Sequence, residues 1–259
     1  MRARRVAAVA AALVLAGVAG CGGNASGGGS AGGPRAGGTV TVFAAASLTE
    51  SFTRLGRAFE ASGGATVAFN FAGSAALAAQ VNQGAPADVF ASAAPRNMTT
   101  VTGAGNADGE PAVFARNRLV VAVPKGNPRG VAGLADLARP GVKVALCAEQ
   151  VPCGAAARTA LDAASVAVTP VTLEQDVRGA LAKLRLGEVD AALVYRTDAL
   201  AAAAEVTAVE FPESARAVND YPIVVLRDAP NPDGARAFVA YVRSERGRAV
   251  LAEAGFQAP

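Results

Sequence analysis

Apolar β-branched runs alternate along this chain with alanine-rich stretches of helical character. The runs V-T-V-F (40–43), A-T-V-A-F-N-F (65–71), D-V-F-A-S (88–92), R-L-V-V-A-V-P (118–124), V-K-V-A-L-C (142–147), V-A-V-T-P-V (166–171), D-A-A-L-V-Y (190–195) and Y-P-I-V-V-L (221–226) read as strands. Helices are predicted from about Leu48 to Ser62, from near Ser74, from about Gly154 to Ala164 and from about Leu173 to Leu186. Gly234 to Ala254 covers one or two more. Such alternation predicts an α/β architecture with mostly parallel sheets. Residues 39–259 suffice for two modest lobes or one large domain.

The N-terminus breaks this rhythm. Arg2, Arg4 and Arg5 precede an unbroken run of Ala, Val, Leu and Gly from Val6 to Val18, and Val18-Ala19-Gly20 leads into Cys21. The run is short for a bilayer span and ends in small residues, so residues 1–20 read as a cleavable signal. The ending V-A-G-C resembles a bacterial lipobox, which implies lipid attachment at Cys21; an ordinary secretory signal with an incidental cysteine is the alternative. Residues 21–38 are nearly all Gly, Ser, Ala and Asn and read as a flexible tether. The expected product is a domain anchored by lipid to the outer face of the cell membrane.

Charge changes once the signal is removed. The whole chain has 24 Lys+Arg against 21 Asp+Glu. Without the three signal arginines it is formally neutral, which argues against a nucleic-acid partner, as do the scarce aromatic residues. Cys147 and Cys153 remain beside Cys21, six positions apart. Outside the cytoplasm a nearby pair of thiols tends to oxidise, which predicts a disulfide between them. Two reduced thiols and a metal site are the rivals; the chain has no histidine and no third free cysteine for a metal.

Four predicted helix beginnings share a chemical theme of small residues, few charges and free N–H groups. They are A-A-A-S47-L-T-E, F-A-G-S74-A-A-L, V-P-C153-G-A-A-A-R and T172-L-E-Q-D-V177-R-G-A-L. Ser47 reads as an N-cap, with Glu50 closing a capping box. Gly73 leaves room for a ligand at the backbone. Hydroxyls and amides at helix N-termini form an anion site without lysine or arginine. Tyr195 ends an apolar strand and suits a core or rim position, Asp176 suits a first-turn acid, and Asp198 suits a helix cap.

The blocks F-A-A-A-S-L-T-E, F-A-G-S-A-A-L-A-A-Q-V-N-Q-G-A-P-A-D-V-F-A-S-A, V-P-C-G, E-Q-D-V-R-G-A-L and A-A-L-V-Y-R-T-D-A stand in this order from Thr39 onward. Together they resemble the periplasmic molybdate-binding proteins of ABC transporters, within the type II periplasmic-binding-protein family, here in lipoprotein form. The resemblance implies a two-lobed Venus-flytrap fold, with one lobe at 39–120 and 221–259 and the other at 121–220. Inter-lobe strands are expected near Val121–Pro124 and Asp220–Val224. It also implies an oxyanion held in the cleft by Ser47, Ser74, Cys153, Val177 and Tyr195, with no cation ligand and no cofactor. The family commonly has Ala where Cys153 stands; a backbone N–H contact survives that change, though a disulfide there stiffens the loop.

Molybdate and tungstate are fully deprotonated dianions at neutral pH, so a donor-only site matches them. A proton-bearing phosphate is penalised in such a site. Sulfate makes the same hydrogen-bond demands, and another oxyanion such as sulfate or thiosulfate is the alternative ligand. The implied partner is a membrane permease, and the expected state is a monomer. A serine hydrolase using Ser47 or Ser74 is the rival of another class, and it lacks a histidine base, a G-x-S-x-G elbow and any P-loop.

Overall fold

A computed structural model describes residues 37–259. The signal at 1–20, Cys21 and the tether up to residue 36 lie outside the described residues. Among the described residues no helix is long and apolar enough to cross a membrane.

The chain builds two five-stranded sheets. The first contains β1 (Thr39–Ala45), β2 (Thr66–Ala72), β3 (Val89–Ala91), β4 (Ala107–Asn117) and the late strand β10 (Asn219–Leu226), in the order β2-β1-β3-β10-β4. The second contains β5 (Leu119–Pro124), β6 (Val144–Cys147), β7 (Thr172–Glu174), β8 (Ala191–Tyr195) and β9 (Val206–Val209), in the order β7-β6-β8-β5-β9. In each sheet four strands run one way and the fourth in spatial order, β10 or β5, runs against them. The expected parallel bias therefore holds in both sheets.

Helices cover both faces of the first sheet, so its central strands are buried on both sides. In β1, Val40, Val42 and Ala44 face one side, where Phe52, Leu55 and Phe59 of α1 (Thr49–Ala61) meet Phe238 and Val242 of α7 (Pro232–Arg243). Phe43 points the other way, toward Leu77 and Val81 of α2 (Ser74–Asn82) and Met98 and Val101 of α3 (Pro95–Gly103). Phe52 contacts the rings of Phe69, Phe114 and Phe238 with centroids 5.5–6.2 Å apart. Phe52 and Phe238 are fully buried, and each such ring contributes about 1.5–3 kcal/mol. The second sheet has a largely aliphatic core, fed by α4 (Pro152–Ala163), α5 (Val177–Arg185) and α6 (Arg196–Ala201). Helix α8 (Glu245–Glu253) closes the chain.

Several elements differ from expectation. The run 166–171 is not a strand: Pro170 brings no N–H to a ladder, and pairing with β6 begins at Thr172 opposite Ala145. Helix α5 accordingly starts at Val177 rather than near Leu173. Helix α3 and strands β4 and β9 were not expected, and α6 begins at Arg196, two residues before the cap expected at Asp198. In β4, Gly109, Glu110 and Pro111 disguise a strand whose pairing with β10 is interrupted by register shifts. The chain leaves the first sheet at Arg118 and returns over 210–218, through a short 3-10 turn at Pro212–Arg216. Strand β5 thus lies wholly in the second sheet and β10 wholly in the first, so neither expected inter-lobe strand is shared between the sheets.

Candidate functional site

The strands β1, β2, β6 and β7 each lead, directly or through a short loop, into a helical turn, and these junctions, with the end of β8, face one another from the two sheets. Between them lies a small cavity lined by Ala45, Ala46, Ser47, Gly73, Ser74, Ala93, Pro152, Cys153, Asp176, Val177 and Tyr195. All five residues expected to hold an oxyanion line this one cavity. The space suits a single small solute.

Each donor owes its freedom to its place in a helix. Val177 is the first residue of α5 and Cys153 the second of α4, so neither N–H has an intrahelical acceptor. Ser74 opens α2, and Ser47 sits in a 3-10 turn, Ala46–Leu48, just before α1. Four helical N-termini therefore surround the void, each carrying about half a positive charge. Among the described residues no lysine or arginine lines it. Asp176 is the carboxylate present, and its Oδ1 accepts from Gly179 N–H at 3.0 Å, capping its own helix. It is the N-cap, where a first-turn acid had been expected.

The capping box at Ser47 is not formed. The inserted 3-10 turn moves the start of α1 to Thr49, and the Ser47 hydroxyl turns instead to Tyr221 Oη, 2.9 Å away. Glu50 points outward and pairs with Arg178 of α5, joining elements that flank different sheets. Arg196 pairs with Glu210 at 3.1 Å. Neither arginine lines the cavity. Gly73 also serves a different neighbour from the one expected. A Cβ there would stand 2.5 Å from the carbonyl oxygen of Gln175, so the missing side chain lets the two halves of the cleft meet. Gly154 has a similar role, because a Cβ would collide with the Ala148 carbonyl under the start of α4. The Cys147 and Cys153 sulfurs lie within bonding distance across this loop, with Cα atoms 5.7 Å apart.

Tyr195 is buried at the end of β8, and its Oη accepts from Asn219 Nδ2 at 2.9 Å. Burial, with the Tyr221 hydroxyl and Asp198 nearby, raises the Tyr195 pKa well above the ordinary phenol value, so it keeps its proton. Asp198 is not the cap of α6. Tyr195 holds that position, and Asp198 lies buried in the first turn with neither carboxylate oxygen hydrogen-bonded. Burial, reinforced by Glu50, pushes its pKa up to about 8, with Arg178 opposing. Of the two residues in contact with cavity hydroxyls, Tyr221 was marked in the sequence only as the start of the run 221–226, and Asn219 lay outside every predicted element.

What this arrangement offers chemically is a set of hydroxyl and amide donors around one void. Residues 40–257 match the family model described as bacterial extracellular solute-binding protein. The chain belongs to that family. Among its relatives, the molybdate-binding protein ModA of Mycobacterium tuberculosis is 44% identical over 249 residues, covering 96% of this chain and 95% of the relative. The putative ABC transporter substrate-binding lipoprotein YvgL of Bacillus subtilis is 30% identical over 247 residues, covering 93% of each. The structure of the Azotobacter vinelandii periplasmic molybdate-binding protein superposes with a TM-score of 0.74 over 85% of this chain and 99% of that one. At 21% identity this last likeness speaks for the fold. The two helix-flanked sheets described above are the two lobes of this α/β fold.

Proposed function

We propose that the protein is the extracytoplasmic substrate-binding component of an ABC importer for molybdate, with tungstate as an equivalent ligand. The observation that carries this reading is the convergence of Ser47, Ser74, Cys153, Val177 and Tyr195 on one void surrounded by helix N-termini. The 44% identity to a molybdate-binding protein over nearly the whole of both chains supports it. Ser47 and Ser74 approach the anion from the lobe of the first sheet. The N–H groups of Cys153 and Val177, with the Tyr195 hydroxyl, approach from the other.

The lobes divide where the chain crosses between sheets, at Arg118 and near Val218, and these crossings act as the hinge. The closed lobes are then presented to a membrane permease. The protein acts as a monomer tethered by lipid on Cys21, a reading supported by the lipoprotein description of the Bacillus relative. The proximity of Cys147 and Cys153 supports a disulfide in the mature protein, fixing the loop before α4. Isothermal titration of the purified protein tests the ligand: molybdate and tungstate bind tightly with one site per chain. Binding heat with sulfate alone would refute the assignment.

A further inference from the structure

The three hydroxyls lining the void share one arrangement. Each already has a polar partner within the protein. Ser74 Oγ accepts from Ala93 N–H at 3.0 Å. Tyr195 Oη accepts from Asn219 Nδ2 at 2.9 Å. Ser47 Oγ lies 2.9 Å from Tyr221 Oη. A hydroxyl has one proton to give and lone pairs to receive with, so the partner's chemistry dictates which capacity remains for the ligand.

For Ser74 the answer is immediate, since an amide N–H only donates. Its own proton stays free. For Tyr195 the orientation of the Asn219 amide matters. Asn219 Nδ2 lies 2.7 Å from the Ala93 carbonyl, which can only accept, so the NH₂ group must face that way. Its second proton goes to Tyr195 Oη, so Tyr195 keeps its own proton to donate, to the neighbouring Tyr221 hydroxyl or to a ligand in the void. In the Ser47–Tyr221 pair either oxygen can donate. A dianion in the void removes that freedom: Ser47 gives its proton to the anion, so Tyr221 gives its proton to Ser47.

We infer that Tyr221 and Asn219 are positioning residues that set the selectivity of the cleft for oxyanions bearing no proton, by holding Ser47 and Tyr195 as donors aimed at the ligand. This rests on the proposed contact of Ser47 and Tyr195 with the anion. Tyr221 is built for the task. It is fully buried, with its ring packed edge-on against Phe114, Tyr195 and Phe256. Burial drives its pKa far above the ordinary phenol value, so its proton is always present to donate. A ligand such as hydrogen phosphate brings a proton that needs an acceptor, and these hydroxyls have their accepting sides directed at protein donors.

The test compares the wild-type chain with Tyr221→Phe and Asn219→Ala, titrating each calorimetrically at pH 8 with molybdate and with inorganic phosphate. Each substitution should weaken molybdate about tenfold, the worth of one ordinary hydrogen bond. Phosphate affinity should stay level or rise, so the molybdate-to-phosphate ratio falls at least as far. Equal losses for both anions would reduce these residues to structural support and overturn the inference, as would an unchanged ratio. Asp176→Asn adds a separate arm, because Asp176 is the carboxylate on the cavity wall. If that variant changes the ratio while Tyr221→Phe and Asn219→Ala do not, selectivity resides in Asp176 and the inference fails. Wild-type protein that binds sulfate in place of molybdate refutes the ligand assignment alone. The sulfate-to-phosphate ratio in the same variants then supports or overturns the inference by the same criterion.

Discussion

Replacing Gly73 by alanine probes the fit between the two halves of the cleft. The backbone there, at φ −59° and ψ 133°, suits any residue, so alanine introduces no local strain. The added Cβ would lie 2.5 Å from the Gln175 carbonyl oxygen and 3.4 Å from Asp176 Cβ. Reaching even a tight 3.0 Å needs a retreat of about 0.5 Å, and ordinary contact at 3.4 Å needs about 0.9 Å. Gln175 and Asp176 lead directly into Val177, so the retreat withdraws the α5 N-terminus from Ser47 and Ser74. A hydrogen bond of about 2.9 Å lengthened by that amount passes beyond effective range. Losing one bond to a charged ligand costs about 1.5–3 kcal/mol, which is roughly 10- to 100-fold in affinity. Isothermal titration with molybdate measures this directly, and thermal unfolding of the ligand-free protein serves as the control. The unliganded melting temperature should be nearly unchanged, because open lobes do not meet at this point. Wild-type affinity in Gly73→Ala would refute the view that Gly73 sets how closely the lobes approach.

Asp198 supplies a pH-dependent prediction. Burial pushes its carboxyl up to about 8 in the folded protein against 3.8 for an ordinary aspartate, so between these values the folded state holds the extra proton. Stability from this group is complete below about pH 4 and is lost as pH rises toward 8. Asp198→Asn should flatten the decline in melting temperature between pH 5 and 8, and identical slopes in variant and wild type would contradict the burial argument. Reduction of the Cys147–Cys153 pair releases a loop whose ends are six residues apart, at a cost of ~2 kcal/mol. In a domain of this size that is a fall of roughly 4–8 °C in melting temperature. Differential scanning fluorimetry with and without reductant checks it, and no change would show that the bond adds nothing.

The central strands and the helix starts were legible because β-branched runs and small-residue junctions carry strong local signals. Val40–Phe43, Ser74, Cys153 and Val177 all lie where the pattern put them or close by. Tertiary context decided the rest. The Ser47–Glu50 spacing satisfies a capping box, yet a 3-10 turn and the buried Tyr221 hydroxyl draw Ser47 away from the role. Strand β4 depends on pairing with β10, more than a hundred residues later, and its own Gly-Glu-Pro stretch argues against a strand. Asn219 and Tyr221 matter only because β10 returns to the first sheet beside the cavity. Single-sequence periodicity does not carry that information.

Among the described residues no lysine or arginine lines the cavity, and this bears on how the cargo leaves. Fixed dipoles act over a few ångströms and weaken steeply once the helix ends separate. No counter-ion has to be supplied and no proton exchanged for the anion to depart. Unloading is therefore a mechanical event: a partner that pries the lobes apart dismantles the binding field in the same stroke. A cleft built on formal charge would keep its grip at a distance, and this one relaxes as it opens.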